Sequence, residues 1–416
     1  MRVVVLGAGI IGTTTAFRLV EAGHEVTVVD RQPDAGLETS FANGGLVTPA
    51  TSDSWAAPGT PTKILKWLGQ DDAPMLLRLA AVPGMLNWGI RFLANCRPEQ
   101  WRQNTKAILS LALFSLDELR SLTEDEGLDY DRNPPGLLKL FRDPYSMESA
   151  VRAADLFREL GVRAEKLTSL EAIRTEPALK PIEAQISGAI FYPDDESGDA
   201  YKFTREVAER ARARGVAFLF GRKIIGLQRA GDRIESAMTD HGPVSGDLYV
   251  LALGSYSAPI GRTAGLSLPV YPAKGYSITV EAKGWNGAPR IPLADDGLKA
   301  AVTPLGDTLR VAGTVEFTGF DTSLNAARGR TLVKSLAAIL PHYPRGDIRH
   351  WTGLRPLTPS GRPLIGRTRL ANLLVNTGHG PLGWTLAAGS ARLITNMVEG
   401  TLLPLDPGPF APEASG

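Results

Sequence analysis

The first 31 residues, MRVVVLGAGIIGTTTAFRLVEAGHEVTVVDR, restrict this chain more than any other stretch. Residues 3–6 form a short apolar run of the length of a buried parallel strand. Gly7, Gly9 and Gly12 follow as G-x-G-x-x-G, with Ala16 further along the helix they open, and residues 25–30 make a second strand that ends on an acid. Gly7 serves the tight turn, Gly9 the close approach of backbone to a pyrophosphate, and Gly12 the contact of helix with strand. Ile10 and Ile11 begin the helix, whose unpaired N–H groups and partial positive charge face phosphates. Asp30, followed by Arg31, is positioned to accept hydrogen bonds from an adenosine ribose. The order strand, glycines, helix, strand, acid specifies a dinucleotide site. It does not separate FAD from NAD.

The 416 residues suggest two or three domains. Forty-five basic residues against 44 acidic ones argue against a generic nucleic-acid surface. Cys96 is the single cysteine, which excludes an intrachain disulfide, a Cys-ligated zinc and an iron–sulfur cluster. Met1 leads straight into the first strand and no run of about 20 uncharged apolar residues follows. The expectation is a cytoplasmic protein, or one peripheral on the cytoplasmic membrane face.

After Asp30 the chain reads RQPDAGLETSFANGGLVTPA, a loop whose glycines allow close approach to a ring system. Ser40, Asn43, Gly44, Gly45 and Leu46 are its candidate cofactor contacts. Residues 54–96 are rich in Leu, Met and Trp, and carry Trp55, Trp67 and Trp88 beside Lys63, Lys66, Arg78 and Arg91. Short helices are expected there. They read either as a cap on a substrate domain or as a membrane-surface or quinone-docking patch. Residues 101–126 follow as a long amphipathic helix. The acids Asp194, Asp195, Glu196 and Asp199 are too poorly spaced for a Ca²⁺ site, and Asp199 reads as the N-cap of the next helix. Residues 247–253 form a buried strand that turns at Gly254, a second edge, with Ala252, facing the nucleotide. Residues 269–350 read as an antiparallel sheet with one helix, and 351–367 as a rigid loop holding Arg355. Residues 373–376 form a last buried strand that runs into TGHGPLGWT, repeating the opening logic of strand, glycines and helix N-terminus.

The opening fingerprint, ETSFANGG, WAAPG, KWL, YPAKGYS, TGLRPLTPSGRPLIG and NTGHGPLGWTLAAGS together resemble the D-amino-acid dehydrogenases of the small-subunit type. These sit within the wider glycine oxidase and D-amino-acid oxidase group of flavoproteins. The resemblance runs from Met1 to about Gly400. It implies non-covalent FAD in an α/β fold, with a Rossmann-like FAD-binding domain interleaved with an α+β substrate domain on an antiparallel sheet. The expected boundaries are 1–50, 145–175, 200–265 and 351–403 for the first, and 51–144, 176–199 and 266–350 for the second. A mobile tail is expected over 404–416.

Carried over by residue, the resemblance puts Gly380, Leu382, Gly383, Trp384 and Thr385 at the flavin or its edge and Ile224 on the adenine side. It makes Arg355 the holder of the substrate carboxylate, Tyr276 a second carboxylate or lid contact, and Tyr271 a weaker one. His379 reads as a packing or hydrogen-bonding residue rather than a proton carrier. Pro381 stands where the family often has Thr and removes one N–H donor. The implied activity is oxidative deamination of D-amino acids, with electrons passed to a quinone or other acceptor. Two alternatives stay open. One is an O₂-using oxidase of glycine, sarcosine or a cyclic imino acid such as D-hydroxyproline; the other is a non-catalytic FAD-binding subunit.

Overall fold

The computed structural model describes residues 1–67 and 73–412. Among these, most strands fall into two sheets. The first is six-stranded, in the order Leu364–Arg367, Leu373–Thr377, Leu248–Leu251, Arg2–Leu6, Glu25–Val29, Ala217–Leu219. Its pairings are parallel except at Leu364–Arg367. Valines and leucines run almost unbroken along its central strands because both faces are covered, one by helices and the other by the hairpin Ile224–Ala230 with Arg233–Thr239 and the short helix Ser257–Thr263. The helix Ile10–Glu21 packs with Ala200–Ala213 and Gly383–Glu399, and the long helix Pro98–Glu126 packs on the last of these. Phe17, Leu19, Leu116, Phe203, Leu386 and Leu393 are buried at 3 % exposure or less in the common core. Each such side chain contributes roughly 1.5–3 kcal/mol. Two helices approach closely at Gly389, where a Cβ would stand 2.8 Å from that of Ser115.

The second sheet is nine-stranded and largely antiparallel. Its path begins Ile348–Leu357, Tyr271–Glu281, Thr308–Phe317 and Ala300–Leu305, then passes through Leu293–Asp295, Leu137–Phe141 and Gly188–Tyr192 to Glu165–Leu167. Met75–Leu77 joins alongside Thr308–Phe317. The helix Ala326–Ile339 covers one face, capped by Asn325.

Several expectations hold: the opening βαβ unit, the long helix expected over 101–126, which spans Pro98–Glu126, and Asp199 as an N-cap to Tyr201 and Lys202. The strands Ile224–Ala230 and Arg233–Thr239 pair as an antiparallel hairpin. Others are corrected. Residues 351–367 are not one rigid loop. Ile348–Leu357 pairs with Tyr271–Glu281 in unbroken register from Val280↔Ile348 to Tyr271↔Leu357. It ends its sheet, and an edge strand tolerates Pro356, whose missing N–H costs no ladder bond. Residues 145–175 and 351–357, expected on the nucleotide side, thus give strands to the nine-stranded sheet. In 54–96 the helices Thr60–Trp67 and Val82–Asn95 form as expected, but Met75–Leu77 is a strand. The end of the chain is tied down through Phe410, 2 % exposed in the first core; the rest of the expected tail, 413–416, lies outside the described residues.

Candidate active site

One elongated cavity runs between the two sheets, from Asp30 to Arg355. Its nucleotide end is built by the first glycines. Gly7 has φ +110°, and a Cβ there would stand 2.6 Å from the Ala252 carbonyl oxygen. A Cβ on Gly12 would stand 1.9 Å from the Gly7 oxygen, so only glycine lets helix and turn pack. Gly9 differs: a Cβ there would meet only Ser40 Oγ, at an ordinary contact distance of 3.7 Å, on the cavity wall. The helix behind it starts without a side-chain cap. Asp30 accepts hydrogen bonds from Ala8 N (2.6 Å) and Gln32 N (2.8 Å), and burial raises its pKa above the usual carboxylate range. Ser40 Oγ accepts from Ile10 N at 3.1 Å.

The other end is built by the last strand. Leu373–Thr377 leads through His379 and Gly380 into Gly383–Glu399, again a helix without a side-chain cap. His379 Nε2, Asn376 Oδ1 and Trp384 Nε1 are buried with no hydrogen-bond partner among the described residues, and all three residues line the cavity. Burial pushes the His379 pKa down to about 3, so its imidazole is neutral at physiological pH.

Arg355 enters from the nine-stranded sheet. It stands opposite Ala273, and its guanidinium lies over Gly275, where a Cβ would come within 2.8 Å of Nε. Among the described residues no acid pairs with it and no hydrogen-bond acceptor meets it. Desolvation alone lowers its pKa to about 10, which leaves it charged. A desolvated, unpartnered guanidinium is a ready site for a planar anion.

Of the residues expected at the site, Gly7, Gly9, Ile10, Ile11, Asp30, Ser40, Asn43, Gly44, Leu46, Ala252 and Gly254 line the cavity. So do Tyr276, Arg355, His379, Gly380, Leu382, Gly383, Trp384 and Thr385. Five do not line it. Gly12 lies behind the turn, and Gly45 packs against Thr303 and Leu305. Arg31 stacks on Tyr256 and pairs with Glu38. Ile224 is buried beside Leu6 and Val29, and Tyr271 packs with Trp88 and Phe317. Tyr276 lines the cavity, yet its hydroxyl donates to Glu316, which also meets Arg78 and Lys274. That hydroxyl is committed to Glu316 rather than offered to a substrate carboxylate.

Thr48, Thr51 and Trp351 also line the cavity, and Asp195 is buried behind Thr48; no spacing in the sequence marks any of the four. Thr48 donates its hydroxyl to Asp195 and its N–H to Thr385 Oγ1 (3.1 Å), and Thr51 Oγ1 lies 3.1 Å from Thr48 Oγ1. Asp195 has no cation partner within ion-pair distance among the described residues, and burial pushes its pKa up from 3.8 to about 7. A raised carboxyl pKa means stability that is complete below pH 3.8 and lost as pH rises through 7. Asp195→Asn keeps an acceptor for Thr48 and carries no charge. The variant should therefore melt a few degrees above the wild type at pH 8.5 and level with it near pH 4 in thermal scans.

The profile of the FAD dependent oxidoreductase family matches residues 2–397. The chain belongs to that family. A D-amino acid dehydrogenase from Paramagnetospirillum magneticum is 45 % identical over 402 residues, 96 % of this chain and 95 % of the relative. Glycine oxidase from Geobacillus kaustophilus superposes with a TM-score of 0.78 at 22 % identity, covering 99 % of this chain and 98 % of that one. L-proline dehydrogenase from P. horikoshii gives 0.77 at 19 %, covering 97 % and 95 %. The FAD-dependent enzyme fold is thus common to proteins named for different amino-acid substrates. The cofactor is FAD, and the cavity fits it. Two uncapped helix N-termini suit the diphosphate and an electron-rich ring edge, glycine keeps Gly9 clear of side chain, and buried polar atoms await partners.

Proposed function

We propose that this enzyme oxidises D-amino acids to 2-oxo acids and ammonia and passes the electrons to an acceptor other than O₂. The observation that carries the reading is the Arg355 guanidinium, unpaired among the described residues, in the same cavity as the FAD cradle. The name of the 45 %-identical relative, D-amino acid dehydrogenase, supports the substrate class. Bound FAD supplies a two-electron acceptor for the substrate's Cα–H. Arg355 grips the carboxylate through two parallel N–H donors, fixing the direction of Cα. Positioning of this kind lowers the barrier by removing rotational freedom before reaction. Neutral His379 offers a hydrogen bond without a charge that would oppose a cationic product. The amine leaves as an imine that water hydrolyses to the 2-oxo acid and ammonia.

The test is a panel of D- and L-amino acids, glycine and sarcosine assayed in air for peroxide formation and for reduction of a dye. Dye reduction with D-amino acids and little peroxide is expected. Peroxide formed as fast as dye is reduced would favour the oxidase reading.

We also propose peripheral membrane contact through the helix Val82–Asn95. Leu86, Ile90 and Leu93 recur at helical spacing on it, 62, 61 and 53 % exposed. Among the described residues no helix is long and apolar enough to cross a bilayer, so contact would be in the interface plane. Leu86→Ser with Ile90→Ser should cut co-sedimentation with anionic vesicles severalfold and leave dye reduction intact. Equal sedimentation of both proteins would remove the patch from the account.

A further inference from the structure

Two strands of the nine-stranded sheet meet at a pair of glycines beside Arg355. Gly275 and Gly353 stand directly opposite each other in the antiparallel register. Side chains at directly opposed positions project from the same face. Neither residue has one, and two large planar groups fold over the space. The Arg355 guanidinium lies over Gly275, and the Trp351 indole lies over Gly353, where a Cβ would come within 2.1 Å of the ring. Both planar groups line the cavity. The Trp351 ring centroid lies 6.4 Å from that of Phe41, which is 39 % exposed. The indole therefore faces both the cavity and an aromatic residue at the protein surface.

From this crossed arrangement, and resting on the substrate class proposed above, we propose that Trp351 is the specificity-determining wall of the substrate site. A carboxylate held by Arg355 brings its Cα over the glycine pair, because Cα is one bond away from the carboxylate carbon. The side chain on that Cα then meets the indole first. Trp351 sets the largest side chain accepted, while Gly353 sets where the indole rests.

The experiment compares FAD-loaded wild type with Trp351→Ala, Trp351→Phe and Gly353→Ala. Dye-reduction kinetics are measured with D-alanine and D-phenylalanine, and the affinities of acetate and phenylacetate by calorimetry. Trp351→Ala should raise the D-phenylalanine to D-alanine ratio of kcat/KM about tenfold or more, chiefly through KM. It should raise phenylacetate affinity relative to acetate in the same direction. Trp351→Phe should fall between, and Gly353→Ala, by displacing the indole, should shift both ratios without removing it. If both substrates lose activity in proportion and the carboxylate ratio stays fixed, the wall is refuted. If the wild type oxidises no D-amino acid, the substrate class falls, and the carboxylate ratio still decides the role of Trp351.

Discussion

Replacing Arg355 with alanine should lower kcat/KM for every D-amino acid substrate by between about thirtyfold and several thousandfold. Truncating one partner of a buried, hydrogen-bonded charge pair costs about 2–5 kcal/mol, and each 1.4 kcal/mol is a factor of ten. Arg355 suits this role because no described residue competes for it: its guanidinium is desolvated over Gly275 and meets no acid among them. Arg355→Lys keeps the charge but loses the planar fork, and should recover only part of the loss. FAD content, read from the visible absorbance of the purified variants, should match the wild type, because Arg355 comes from the other sheet than the nucleotide cradle. Steady-state kinetics with D-alanine check the prediction. Full activity in Arg355→Ala would remove this residue from the site.

Gly12→Ala and Gly9→Ala should fail in different ways. At Gly12 the new Cβ would sit 1.9 Å from a backbone oxygen that belongs to the turn itself. Overpacking typically costs about 1–3 kcal/mol, and a backbone atom has less room to yield than a side chain. The expected product is a protein of sharply reduced melting temperature that purifies without FAD. Gly9 has φ −71° and ψ 176°, angles that alanine adopts freely, and its Cβ would project into the cavity. Gly9→Ala should fold with little loss, about 1 kcal/mol at most from a poorer helix N-cap, and bind FAD at least tenfold more weakly. Thermal scans of the apoproteins and fluorescence titration with FAD separate the two. Equal effects at both positions would contradict the division of labour assigned to the glycines.

The nucleotide half of the site is legible in the sequence because its signals are local. Within 30 residues, Gly7, Gly9, Gly12 and Asp30 follow from the turn, the phosphate approach and the strand end, and the strand entering His379–Thr385 repeats the pattern. What fails needs register. Gly353, Pro356 and Gly361 make 351–367 read as a loop, yet an edge strand accepts both residue types, and pairing with 271–281 decides the matter. The same pairing puts Trp351 beside Arg355 over two glycines, which no spacing within either segment reveals. Tyr276 looks available until Glu316, forty residues away, takes its hydroxyl. The spacing of Asp195 rules it out as a metal ligand and gives no hint of its place behind Thr48, a partner 147 positions earlier. Long-range pairs of this kind are set by sheet topology, and a single sequence carries no record of it.

The most direct test is anaerobic addition of single amino acids to the FAD-loaded protein, followed by the absorbance of the flavin near 450 nm. Rapid bleaching by D-alanine is expected, none by L-alanine, and slowed bleaching in Arg355→Ala. A flavin that stays oxidised with every D-amino acid, or that bleaches with the L enantiomer instead, would contradict that expectation.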